Sequence, residues 1–580
     1  MRLLAAMIFC FAFVGVTSAQ TTTTTSLPAS GQLDFGVEGL SFPPVVTVNG
    51  HTPRTAQLLG EAYRRRVPLV WKRVQYVADI GQVALPAGAP YLVDAMKDDA
   101  PAVRAEAARS AAMVGEPSLL AQVEKLLADS DASVRREAVL SAAKLAREQK
   151  LASSPAIERG LADPQPQVVA ASLQAAWTAE HATQIAQKLA GFPKALQAEA
   201  AAALGRIKSP AAAAAVLPLL NGDVTQRVAA VRALGEMADV AHAEPVLQKL
   251  ADPHPTVRRA AVASMAKLAD EPTQHARAIK MLADADPTVR EAAARVLTPV
   301  PSTEALDALL KQLDEPYAPL HEAVRQALSR PRDAALSQAT IARSAALLAQ
   351  ANPRRQEDAS YILGRLRSDA AIERHLALLQ WDPASPAKSD WPLIAQAAES
   401  LGLIGDARAN EPLMKLIKPA PDALAGMQRP QVDAMTKAMS NALVAAARLH
   451  HRAAIDDAVR ILQLDPATCP SSLRAAASFA IGLLAEPGKL PSDVNFIAIY
   501  ESPFEAKITK LEALKALGNN RHAPLADRLK VITESDATPD LRWMAHWAYQ
   551  RCSNTRVAYQ PPTERRAPPV LISDLPQPRQ

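Results

Sequence analysis

A seven-residue phrase recurs along the chain and constrains its fold more than any other feature. Asp98-Asp-Ala-Pro-Ala-Val-Arg104 returns as Asp129-Ser-Asp-Ala-Ser-Val-Arg135, Asp252-Pro-His-Pro-Thr-Val-Arg258 and Asp284-Ala-Asp-Pro-Thr-Val-Arg290. Each copy opens an alanine-rich apolar stretch, and neighbouring copies stand 31 or 32 residues apart. A period in that range with helical patterning predicts an all-α chain. Its architecture is an α-solenoid, a superhelix of stacked antiparallel helix pairs.

Alignment on the phrase arginine (Arg104, Arg135, Arg227, Arg258, Arg290) exposes a core stripe. The residue before it is Val103, Val134, Val257 or Val289, and only Gln226 breaks the rule. Three residues after it stands alanine every time: Ala107, Ala138, Ala230, Ala261 and Ala293. Seven and ten residues after it come further apolar side chains, from Ala111 and Val114 to Leu297 and Val300. These offsets trace one helical face. The opening Asp of each phrase is expected to cap a helix N-terminus, and proline suits the first helical position. Leu204-Gly205, Leu234-Gly235, Leu363-Gly364 and Leu517-Gly518 read as helix ends, with glycine in the left-handed cap.

These residues resemble HEAT-repeat proteins, and among them the short bacterial repeats also found in phycocyanobilin lyase subunits. Leu401-Gly-Leu-Ile-Gly-Asp-Ala-Arg-Ala-Asn-Glu-Pro-Leu413 is the best local match. The resemblance implies that turn Asp and following Arg form a ladder between adjacent repeats. Asp129, Asp252 and Asp284 would then pair with Arg135, Arg258, Arg290 or their neighbours' equivalents, in a structural role. It also implies that the second helix of each pair lines the concave side.

The expected organisation has four parts. Residues 1–19 read as a secretory signal peptide: Met1-Arg2, an apolar run from Leu3 to Val16, and small residues at Thr17-Ser18-Ala19. A flexible leader with a short strand or hairpin cap follows over 20–54. The solenoid covers 55–552, regular over 98–300 and degenerate over 301–552. A proline-rich tail occupies 553–580. Proline-rich insertions at 381–392 and 419–430 fall where solenoid loops gather on one face. No stretch after the signal approaches ~20 uninterrupted apolar residues, so no transmembrane segment is expected in the mature chain. The two remaining cysteines, Cys469 and Cys552, lie more than two repeats apart, too far for a disulfide unless the C-terminus folds back.

Charge argues against nucleic acid as a partner. The net charge is +5, yet residues 98–300 hold 23 Lys and Arg against 23 Asp and Glu, with no basic footprint. Arg64-Arg65-Arg66, the one dense basic cluster, reads as a solvated helix face. The chain has no Gly-rich phosphate loop, no His-Glu-x-x-His, no Cys-x-x-Cys and no Gly-x-Ser-x-Gly. His450-His451 diverge by about 100° on a helix, so they do not chelate one ion together. No catalytic, metal or cofactor residue is assigned, and no cofactor is expected.

One surface feature points to a partner. Positions one, five and nine after the phrase arginine share a face beside the core stripe. They include Arg136 and Arg259, then Arg109, Arg232 and Arg295, then Lys144 and Lys267, with Glu236 and Glu291 intervening. This predicts a concave strip biased toward basic that holds an acidic peptide or protein edge. The expected function is a non-enzymatic protein-protein interaction scaffold of the cell envelope, periplasmic or extracellular. The rival readings are a lyase-type enzyme or subunit, which the repeats alone suggest, and a nucleic-acid-binding helical array.

Overall fold

A computed structural model describes residues 52–65, 67–381, 386–417, 427–535, 538–556 and 559. The signal peptide, the hairpin cap, the insertion residues 382–385 and 419–426, and most of the tail lie outside the described residues. Within them the chain forms 30 α-helices from Pro53–Arg64 to Pro539–Ser553. They alternate as fifteen pairs, each a first helix followed by a second. The second helices of successive pairs pack side by side, from Val70–Val83 against Pro101–Val114 to Lys507–Asn520 against Pro539–Ser553. Described residues contain no strand, only an isolated bridge between Val300 and Pro331.

The stripe read from the sequence is the core. Val103, Val134, Val257 and Val289 are fully buried, as are Ala107, Ala138, Ala230, Ala261 and Ala293. Alanine at this position keeps neighbouring helix axes close, and the apolar area removed from water then accumulates pair by pair.

The Leu-Gly pairs do not end helices. Val224–Met237 runs past Gly235, and the left-handed cap falls on Ala238; Lys194–Ile207 runs past Gly205 to a left-handed Lys208. The glycines are instead contact points between layers. A Cβ on Gly205 would lie 2.8 Å from the Cα of Ala233 in the next second helix, and one on Gly402 would lie 2.6 Å from the Cα of Ala445. Gly81, Gly235 and Gly364 each face a buried serine of the next second helix: Ser110, Ser264 and Ser400. The serine hydroxyls donate to Val77 O (3.0 Å), Val231 O (3.0 Å) and Ser360 O (2.7 Å), each four residues before its glycine. The missing side chain lets the hydroxyl reach a carbonyl already used within its own helix.

The phrase arginine and aspartate form the second element of the stack. Arg104 grips Asp129 through two bonds of 2.7 and 2.8 Å, Arg135 grips Asp163 (2.6 and 3.0 Å), and Arg258 grips Asp284 (2.7 and 2.7 Å). Arg227 meets Asp252 at 2.9 Å, and Arg290 pairs with Glu315. Each arginine therefore reaches the acid of the following repeat. Within its own phrase it meets only main-chain carbonyls: Arg135 donates to Asp129 O and Ser130 O, and Arg258 to Asp252 O and Pro253 O. The opening Asp is likewise not the helix cap. Asp129 and Asp284 accept from the backbone two residues on, and the caps are Asp131 and Asp286, which accept from Ser133 N and Thr288 N. The ladder's geometry fixes the turn, and the third residue of the phrase starts the helix.

The spine changes character between the ninth pair's second helix (Ala318–Leu328) and the tenth's (Pro353–Arg365). Ile362 stands two residues before Gly364, where the other glycine-bearing helices nearby carry Ala or Ser. A polar seam lies here. The Asp358 carboxylate is 1% exposed and meets His321 at 2.9 Å and Arg325 at 3.8 Å. The Tyr361 ring is clasped between the guanidiniums of Arg325 (3.9 Å) and Arg365 (3.5 Å). Such cation–aromatic contacts strengthen as they are desolvated.

Two outcomes follow from this packing. Gly402→Val should force the two helices apart and cost ~1–3 kcal/mol, lowering the melting temperature. Gly191→Ala is the control, because nothing lies within 4 Å of its Cβ position. Acid should weaken the stack in two stages. Burial alone would raise the carboxyls of Asp129 and Asp284, but their arginine and backbone partners outweigh it, and both sit below the usual carboxylate range. The Arg135 guanidinium does the same for Asp163. Their contribution is complete above the unfolded value near ~3.9 and is lost as pH falls through the lower folded values. His375 is fully buried, and burial pushes its pKa down to about 4. Below ~6.5 the unfolded chain takes up a proton that the folded chain refuses. Melting curves between pH 8 and 3 should therefore be flat above ~7, decline from ~6.5 and steepen below ~4. A midpoint unchanged down to pH 4 would contradict the His375 assignment.

Candidate functional site: the exposed face of the second helices

The second helices bury one flank on each neighbour and present the remaining face to solvent. Positions one, five and nine after the ladder arginine lie on that face. Most of the basic side chains there already have acidic partners. Arg109 Nε bonds Glu106 (3.0 Å), Arg136 lies 3.3 Å from Glu137, Lys267 meets Glu236 of the preceding repeat (2.6 Å), and Arg295 meets Glu291 (2.8 Å). Lys144 lies 3.7 Å from Glu148 and donates to Ala112 O at 2.6 Å, tying its helix to the previous one. Arg232 and Arg259 have no ion-pair partner among the described residues. Arg232 is exposed and Arg259 half-buried. The strip is therefore mixed in charge, with its free cations concentrated on the sixth and seventh pairs.

A groove opens beside them. The fourth pair's second helix, Pro166–Ala175, has ten residues, against seventeen in Ala132–Glu148 and fourteen in Lys194–Ile207 on either side. The arginine ladder also lapses here, because Val169 and, in the next second helix, Gln197 stand where Arg104, Arg135, Arg227, Arg258 and Arg290 stand in theirs. A cavity of about 460 Å³ occupies the space, lined by Arg136, Gln167, Ala170, Gln174, Glu199 and Arg206 among others. Arg206 is committed to the end of the short helix, donating to Leu173 O (2.8 Å) and Gln174 O (3.3 Å). The two glutamines and Glu199 remain to meet an occupant, with Arg136, 3.3 Å from Glu137, beside them. Together they offer a cation, a carboxylate and two amides that both donate and accept. The groove was not legible in the sequence, because a missing ladder arginine, as at Val169 and Gln197, does not by itself mark a shortened helix.

The remaining candidates resolve differently. Arg64 pairs with Asp94 at 2.7 Å and lies over the Tyr91 ring. Cys469 and Cys552 are buried and unpaired thiols; burial pushes both pKa values up, Cys552 to about 11, away from thiolate chemistry. Within the insertion at 381–392, Trp391 is buried against Trp381 and starts a helix, so this part belongs to the core. No group of three or more His, Cys, Asp or Glu side chains that could hold a metal occurs among the described residues. No helix among them is long and apolar enough to cross a membrane.

Comparison with known proteins bears on the fold. Residues 70–144, 89–178 and 243–329 match the family model for HEAT repeats. No curated protein matches the chain. Among solved structures it is similar to importin beta, with 10% identity over 84% of this chain and 83% of that one at a TM-score of 0.40. It is similar to Kap121p bound to Pho4p, with 12% identity over 86% and 65% at 0.47. It is also similar to the structure of Kap95p binding to RanGDP, with 12% identity over 87% and 66% at 0.45. The chain thus spans just under two thirds of the last two chains. At these identities the likeness is one of fold alone. Residues 70–178 and 243–329 are HEAT repeats, set within an all-α solenoid whose described residues form fifteen helix pairs.

Proposed function

We propose that this protein is an exported, non-enzymatic scaffold that holds an acidic peptide or protein edge along the second-helix face. The signal-peptide pattern of residues 1–19 supports export to the periplasm or beyond. Solenoids offer long surfaces that bind by shape and many weak contacts. The observation that carries the reading is the groove over the third to fifth pairs, lined by Arg136 and followed by the unpaired Arg232 and Arg259. An extended segment laid there would place acidic side chains against these guanidiniums and its own amides against Gln167 and Gln174. Arginine suits this role because its planar fork holds a carboxylate through two bonds.

Affinity isolation from an envelope extract, with tagged residues 20–580 as bait, tests the reading. Reversal of Arg136, Arg232 and Arg259 to glutamate should reduce capture at least ten-fold while the helical spectrum and melting temperature stay unchanged. Undiminished capture by the triple variant would retire the proposed face. Capture of DNA with steep salt dependence would replace the reading with a nucleic-acid one.

A further inference from the structure

The second-helix face changes composition at its C-terminal end. In the same register that carries Arg109, Arg232 and Arg295, five residues after the ladder arginine, the thirteenth and fifteenth pairs carry Phe479 and Trp547. One residue after it stands Trp543, and nine after it Leu483. Leu483 is 37%, Ile508 52% and Trp543 51% exposed. The fourteenth pair's second helix crosses between them, with Lys515 near the Phe479 ring (5.2 Å) and Ile508 on the same column of that helix. Arg551 lies over Trp547 at 5.1 Å. The result is an apolar, aromatic patch with basic side chains set into it. Large exposed apolar patches mark sites of association.

We propose that the occupant is this chain's own segment 568–576, Pro-Pro-Val570-Leu571-Ile572-Ser-Asp574-Leu-Pro576. Three observations favour it. First, the chain turns back after the last helix. Asn554 takes the left-handed conformation, Thr555 N bonds Gln550 O, and the Tyr559 ring lies 5.1 Å from the His546 ring, between the turns bearing Trp543 and Trp547. The tail therefore starts beside the patch. Second, Val570 stands eleven residues past Tyr559. An extended chain at ~3.1 Å per residue covers ~34 Å in that span, whereas two helix layers measure ~16–20 Å. Third, the chemistry matches. An apolar run between prolines loses little entropy on docking to aromatic rings, and Asp574 complements Arg551, beside Lys515 with its Glu512 partner at 3.1 Å. Tethering also gives the segment an effective concentration in the millimolar range.

The test uses the full chain and a fluorescein-labelled peptide of residues 564–580. Val570→Ser, Leu571→Ser and Ile572→Ser together change only the tail and should vacate the patch. That variant should bind the peptide at least ten-fold more tightly than the wild type, whose own tail competes. Adding Trp543→Ala or, separately, Leu483→Ser to it should lower peptide affinity at least ten-fold with an unchanged helical spectrum. Equal affinity in wild type and tail variant would overturn the proposal. So would peptide binding indifferent to both patch substitutions, or a tail variant that doubles in mass with concentration and ignores the peptide, which would assign the patch to a second copy. Partner capture by Arg136, Arg232 and Arg259 does not enter this measurement, so the two readings fail separately.

Discussion

Close approach between successive second helices is the constraint on which the stack depends. It is met by small residues placed in complementary positions: a glycine on one helix, an alanine or serine on the next. Helices that approach this far bring backbone against side chain, and the serine hydroxyls turn some of these contacts into hydrogen bonds to a neighbouring carbonyl. Apolar burial supplies the driving force, but the small residues determine which face of each helix can be buried.

The arginine–aspartate ladder acts on the same layers from their turns. The carboxylates of Asp129, Asp163, Asp252 and Asp284 are at most 8% exposed. Each is bound by both the preceding arginine and its own turn's backbone. A buried charge pair of this kind stabilises less than its Coulomb attraction suggests, because both ions give up water. Its larger effect is on register, since the fork of the guanidinium fits one placement of the next repeat. At Val169, one of the places where the ladder lapses, the helix is short and the face opens into the groove.

Much of this architecture is visible in the sequence because it repeats. The phrase arginine, the valine before it and the alanine three after it recur at fixed offsets, so the helical face and the pair spacing follow directly. What escaped reading depends on partners that lie about one repeat away. Gly205 and Gly235 look like helix ends when read locally, and only the neighbouring Ala233 and Ser264 show why they are mid-helix. The opening Asp looks like a cap until the arginine 25 or 26 residues before it is placed against it. The basic strip looked stronger than it is because Glu236 neutralises Lys267 from a different helix. The polar seam at His321, Arg325, Asp358 and Tyr361 has no periodic signal at all.

The glycine contact is also directional. A helix such as Val224–Met237 offers Ala233 backward to Gly205 and Gly235 forward to Ser264, so a joint of this kind is head-to-tail. Contacts of this type do not close on themselves and, left unmodified, extend without limit. The first and last second helices of the described residues depart from this pattern. In the first, Asp79 stands where Ser110, Ala233, Ser264 and Ser400 stand in theirs, and it is buried. In the last, Gln550 stands where the forward-facing glycine would be. Among the described helices, neither Val70–Val83 on its backward side nor Pro539–Ser553 on its forward side offers the small residue that this joint uses.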